Sequence, residues 1–145
     1  MIRQRRENVS ENLTGGCRCG AIRYECPDAV IFAGHCHCRD CQYASGGAYS
    51  TVVGVASESV TIEGETSAFT VDAASGNTVT RRFCTSCGSP LFSELSASPG
   101  MLILKAGSLD DPGRVTPAMH IWTDSSPAWA ETSGQLPEHP GQPDL

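Results

Sequence analysis

Along the middle of the chain, apolar residues alternate with polar ones in short runs that end at glycine, proline, serine or asparagine. A period of two is the pattern of half-buried strands, and the turn residues that interrupt it keep each strand short. Strands are predicted over residues 21–26, 31–35, 48–55, 59–63, 67–71, 78–83, 91–94, 101–106 and 119–122. Gly64-Glu65 and Ser75-Gly76-Asn77 read as hairpin connections. Only residues 40–45 read as helix, and they amount to a turn or two. The pattern predicts an all-β domain with little helix.

The ends break the alternation. Residues 1–13 are polar and aperiodic, and residues 131–145 carry three of the nine prolines, three acids and no base. Both read as flexible tails flanking one domain over residues 14–130. No apolar run approaches the roughly 20 residues of a membrane-spanning helix. The N-terminus is basic but no apolar stretch follows it, so it does not read as a secretory signal. The expected compartment is the reducing cytoplasm, where cysteines are kept for metals or catalysis rather than disulfides. Sixteen acids against ten bases give a net charge of −6, which argues against a nucleic-acid partner. Hydrophobic residues make up 39% of the chain and only nine residues are aromatic. A core that thin calls for another staple.

The eight cysteines supply one. They fall into Cys17-Arg-Cys19, Cys36-His-Cys38-Arg-Asp-Cys41 and Cys84-Thr-Ser-Cys87, with Cys26 apart. Gly20 and Gly88 directly follow two of these groups, where a chain wrapping a metal must turn tightly and aim N–H groups at sulfur. A structural zinc takes four soft ligands, commonly two from each of two turns. Cys17, Cys19, Cys84 and Cys87 supply that set. Cys36, Cys38 and Cys41 come from one loop with no fourth cysteine assigned, and three ligands with an open position is the arrangement of a catalytic zinc. His37 lies between two ligands and His35 should face the opposite side of its strand, so each reads as a neighbour of the metal or a surface residue. Cys26 reads as a small buried hydrophobe. Arg18, Arg23, Arg39, Arg81 and Arg82 lie within four residues of a clustered cysteine and could offset thiolate charge.

Three runs carry a resemblance: residues 16–24 (GCRCGAIRY), 36–42 (CHCRDCQ) and 82–92 (RFCTSCGSPLF). They are similar to the glutathione-dependent formaldehyde-activating enzyme family, as are Ala106-Gly-Ser-Leu-Asp110, His120-Ile-Trp122 and Trp129. The resemblance covers about residues 14–130 and implies a β-tent fold with two zinc ions. Carried over, Cys17, Cys19, Cys84 and Cys87 would hold a structural zinc, and Cys36, Cys38 and Cys41 the catalytic one. It implies a carbon–sulfur lyase-type reaction that condenses glutathione with formaldehyde, so the expected partners are a small thiol and an aldehyde. Arg39 or His37 would meet the developing alkoxide. His120 and Trp122 could line the pocket, although Trp122 and Trp129 read first as core. The competing reading is a non-catalytic zinc-stabilised module, in which the middle metal would have a fourth protein ligand. A methionine sulfoxide reductase would need a redox cysteine late in the chain, and none follows Cys87.

Overall fold

The computed structural model describes residues 12–73, 75–132 and 134–144. Among the described residues, ten strands and one short α-helix follow one another. They are β1 (Leu13–Gly16), β2 (Arg23–Cys26), β3 (Phe32–Cys36), α1 (Arg39–Ser45), β4 (Ser50–Ala56), β5 (Thr61–Glu63), β6 (Thr66–Asp72), β7 (Thr78–Cys84), β8 (Pro90–Leu95), β9 (Met101–Lys105) and β10 (His120–Ile121). The domain is all-β in architecture. A small sheet has the order β1-β2-β5 and a large one the order β10-β3-β4-β9-β8-β7-β6. Every pairing is antiparallel except β10 with β3.

The core lies between the sheets. Leu13, Ile22, Tyr24 and Cys26 come from the side of the small sheet, and Val53, Val55, Phe92, Leu102 and Leu104 from one face of the large one. Cys26 is fully buried there, its sulfur 3.8 Å from the Asp28 carbonyl, and burial pushes its thiol up. The opposite face of the large sheet is different. Register places Phe69, Arg81, Ser93 and Ile103 in one row across β6, β7, β8 and β9. Lys105 lies two residues beyond Ile103, hence on the same face, opposite Val52 of β4. Cys36 and Gly34 of β3 continue that face, and α1 packs near it against β4.

All nine strands read from the alternation are present, with ends displaced by up to two residues. A tenth, β1, is added. Leu13 was read as the last tail residue, yet it is buried at 1% exposure and pairs with Cys26. Ser75-Gly76-Asn77 does connect a hairpin, β6 to β7. Gly64-Glu65 does not. It carries the chain from the small sheet to the large one, because β5 pairs with β2 while β6 pairs with β7. A glycine-rich pair reports a turn, not which strands it joins.

The C-terminal segment also departs from a free tail. The His120 N–H donates to Pro137 O at 2.8 Å, His139 N–H to His120 O at 2.9 Å and Thr123 N–H to His139 O at 3.1 Å. His120 forms a parallel bridge with Glu138. Prolines that cannot donate still accept, so a proline-rich segment can cap a sheet edge through its carbonyls. Trp129 corrects another expectation: it is 73% exposed and outside the core. No helix among the described residues is long and apolar enough to cross a membrane.

Candidate metal centres

The first centre joins two tight turns. Cys17 and Cys19 follow β1, Cys84 ends β7 and Cys87 lies in the turn before β8. Their four sulfurs all lie within 4.8 Å of one another. Cys17 and Cys19 are 3.6 Å apart and Cys19 and Cys84 3.7 Å. Sulfurs bound about 2.3 Å from a tetrahedral zinc are separated by about 3.8 Å, so the group has the right size for that ion. Backbone donors complete the fit. Ile22 N–H lies 3.2 Å from the Cys17 sulfur, and Ser86 N–H 3.3 Å from that of Cys84. Such donors favour thiolate over thiol. Gly20 and Gly88 take φ of 86° and 77°, the left-handed turn predicted after each pair.

Ser89, a residue without sequence signal, ties the two turns together. Its hydroxyl accepts from Arg18 N–H at 3.0 Å and lies 3.2 Å from the Cys87 sulfur. That hydroxyl is the main reason the Cys87 thiol is drawn down to about 5. Cys19 shows the counterpart. The Ala21 N–H favours its thiolate, but the neighbouring sulfurs outweigh it and hold the group up at about 11. Sulfurs this close share protons, and one divalent ion can replace those protons at once.

The second centre is built by one loop. Cys36 ends β3, Cys38 caps α1 and Cys41 lies in the first turn of the helix. The Cys38 sulfur accepts the Cys41 N–H at 3.3 Å, so the cap that starts the helix also holds two ligands together. The Gln42 amide donates to His37 O at 2.9 Å and to Ser125 O at 3.0 Å, which fixes the loop from behind. The three sulfurs lie within 4.8 Å of one another, and no fourth donor joins them among the described residues. Bonds from Cys36 and Cys38 pull the Cys41 thiol far down, helped by the charges of Lys105 and Arg81, while Cys36 is pushed far up. All eight cysteines are free thiols.

The histidines surround this loop without joining it. His37 is buried, its Nε2 2.9 Å from His120 Nδ1, and its own Nδ1 has no partner. His35 lies 2.8 Å from the Thr51 hydroxyl. Tyr49 rests against His35 and His37 with ring centres 4.6 and 5.0 Å away, a contact the sequence did not announce. Burial lowers both histidines. Trp122 packs on the cysteine loop with a left-handed φ of 58°, and its indole nitrogen reaches Gln142 Oε1 at 3.3 Å. Arg39 instead lies exposed, bonded to the Gln42 side chain and stacked over the Tyr43 ring at 4.8 Å.

Arg81, expected beside the thiolates, and Lys105, which the sequence left without a role, complete the surroundings. Lys105 is the single lysine of the chain and is 8% exposed. It lines a cleft of about 720 Å³ beside Cys17, Tyr49 and Ser108, and a second of about 430 Å³ beside Tyr43, Phe69 and Arg81. None of Cys36, Cys38 and Cys41 lines either cleft, but α1 contributes Ala44 to both.

Three comparisons with known proteins bear on this arrangement. No curated protein matches the chain. Among solved structures it is similar to a Rhodobacter sphaeroides protein determined as a structural-genomics target, with 17% identity and a TM-score of 0.57 over 86% of this chain and 98% of the other. At that identity the likeness concerns the fold. The family model described as glutathione-dependent formaldehyde-activating enzyme matches residues 12–125, which include both cysteine groups. With the fold, two sulfur centres of four and three cysteines and that match in agreement, the chain belongs to the glutathione-dependent formaldehyde-activating enzyme family.

Proposed function

We propose that this protein is a zinc enzyme of carbon–sulfur bond chemistry that adds a thiol, glutathione in the family's namesake reaction, to formaldehyde or another small electrophile. The observation that carries this reading is the three-cysteine group. Its donors fit zinc, and it lacks a fourth protein ligand among the described residues, whereas the other group is complete with four. When bound there, zinc supplies a Lewis acid that stabilises a thiolate at neutral pH.

The reaction balances without an oxidant. A sulfur–carbon bond forms, the carbonyl π bond breaks, and the proton lost by the thiol ends on the new hydroxyl. Cys36, Cys38 and Cys41 hold the ion, and the Cys38 cap with the Gln42 anchor keeps them in place. A proton must reach the developing alkoxide. Of the two candidates from the sequence, His37 is the better suited, since it is buried beside two ligands and shares a proton with His120. Arg39 projects to solvent instead. Cys17, Cys19, Cys84 and Cys87 take the structural role.

The test couples metal analysis to an adduct assay. Two zinc ions per chain are expected, with faster formation of S-(hydroxymethyl)glutathione followed by NMR. With cobalt in the three-cysteine site, glutathione should change the absorption spectrum. Two bound ions, an unchanged spectrum and no accelerated adduct formation would overturn this reading and leave a zinc-stabilised module.

A further inference from the structure

The large sheet carries unpartnered polar groups on the face opposite the core. The side chains of Arg81 and Lys105 make no hydrogen bond or ion pair among the described residues, although Arg81 Nε is fully buried and Lys105 is 8% exposed. Ser93, 3% exposed, lies directly across from Arg81, and its hydroxyl also has no partner. Buried donors left unpaired are rare and mark a missing ligand, water or ion. Burial first, and the Arg81 charge as well, disfavour the charged form of Lys105. The sulfurs of the three-cysteine centre favour that form, yet they lie beyond hydrogen-bond reach of Lys105. Two unpaired cations on one face call for an anion.

The cleft of about 430 Å³ describes what that anion is attached to. Arg81, Arg82 and Lys105 line it against a single acid, Asp40, and Arg82 is already bonded to Glu94 at 2.8 Å. Two free cations therefore face one acid. The remaining wall is apolar, with Tyr43, Ala44, Phe69, Val71, Phe83 and Pro90. Phe69 is 65% exposed with no ring or cation over it among the described residues, and Tyr43 is 79% exposed with the Arg39 guanidinium over its ring. A ligand with a carboxylate at one end and an apolar body at the other fits both features.

We propose that Arg81 and Lys105 form a carboxylate subsite, with Ser93 behind Arg81, and that the thiol substrate is a mercapto acid whose apolar body lies against Tyr43 and Phe69. This rests on the thiol chemistry proposed for the three-cysteine zinc, whose helix supplies one wall of the cleft. The recognition is nonetheless separable from that chemistry, because the carboxylate is held by residues that are not metal ligands. It also goes beyond the namesake reaction, since it assigns what holds the part of the thiol substrate remote from sulfur.

The test titrates the zinc-loaded protein with phenylacetate, which has the carboxylate and the apolar body but no thiol. Phenylacetate should shift the amide resonances of Tyr43, Phe69, Arg81 and Lys105. The neutral 2-phenylacetamide should bind about tenfold more weakly or worse, the loss expected when a charge-assisted pair is removed. Arg81→Gln and Lys105→Met should each weaken phenylacetate by about tenfold and erase the preference for acid over amide. Equal binding of acid and amide to the parent protein overturns the subsite whether or not either variant folds, as does a preference that survives both substitutions. The thiol chemistry is read separately. Benzyl mercaptan, which lacks the acid, should still change the spectrum of the cobalt-substituted protein. Loss of that change with phenylacetate binding intact removes the thiol reading and leaves an acid-binding site.

Discussion

Asp110 shows how one side chain can fasten two parts of the domain. Its carboxylate takes a forked pair of bonds from Arg23 of β2 and a third from the Thr14 hydroxyl of β1 at 2.8 Å, while its own N–H donates to Thr14 O at 2.9 Å. These contacts, led by the Arg23 bond, hold the carboxyl at about 2 against 3.8 for the free group. The folded pKa is the lower one, so the stabilisation is complete above about pH 4 and fades as the pH falls towards 2. Both side chains are more than two-fifths exposed, which screens the pair and limits its worth to about 1 kcal/mol. Asp110→Asn should therefore lower the urea midpoint modestly at pH 7, and the gap from the parent should narrow between pH 4 and pH 2. Taking the difference between two proteins cancels the loss of metal in acid. A gap that stays constant with pH would mean that the ionised carboxylate is not its source. At this scale the sequence was readable where chemistry is concentrated in the residue itself, as with the seven clustered cysteines. Lys105 was not readable, because a lysine ending a strand ordinarily leaves its charge in water. The only hint was its being the chain's sole lysine beside nine arginines.

Elements divide in the same way. Strands that bury one face through side chains announce themselves, and β4 and β9, paired as Val53 with Leu104 and Val55 with Leu102, are the clearest. The missed strand β1 reads LTGG, and its glycines are demanded by close approach rather than by a turn. A Cβ on Gly15 would lie 2.5 Å from Ser108 O and the Tyr24 ring, and one on Gly16 2.2 Å from Ile22 O. Glycine written for proximity looks the same in a sequence as glycine written for flexibility. The C-terminal segment was hidden for a related reason, since its attachment runs through main-chain carbonyls that no side-chain pattern records. Removing residues 136–145 should leave the N–H groups of His120, Trp122, Thr123 and Asp124 without their acceptors and His120 O without its donor. At roughly 1 kcal/mol per backbone bond, a loss of about 5 kcal/mol is expected, concentrated at β10. Hydrogen exchange should rise at His120, Ile121 and His37, which bonds to Ile121 O at 2.9 Å, while β7 and β8 stay protected. Uniform acceleration across the large sheet would instead make the segment part of the global core.

For the whole molecule, the two sulfur centres differ in what they connect. Cys19 and Cys84 are 65 residues apart, and their group joins the turn after β1 in the small sheet to the hairpin between β7 and β8 in the large one. Cys36, Cys38 and Cys41 close within six consecutive residues and join nothing distant. Constraining a long loop changes the unfolded chain far more than constraining a short one. Structural zinc sites are worth about 10–16 kcal/mol in small peptides, as much as the roughly 5–15 kcal/mol that holds a domain together. Cys84 itself is 2% exposed in the core between the sheets. Cys84→Ala should therefore lose its metal and the cooperative unfolding transition together. Cys38→Ala should lose one zinc of two and any activity, yet keep that transition with its stability lowered by about 1–2 kcal/mol from the lost helix cap. Stepwise chelation of the parent protein should show the same order, with one ion leaving a folded chain and the second release coinciding with unfolding. Near-ultraviolet circular dichroism read against released zinc checks both. If the two variants unfold alike, or if both ions leave in one step with the fold, the division between a metal that holds the sheets and a metal that meets substrate fails.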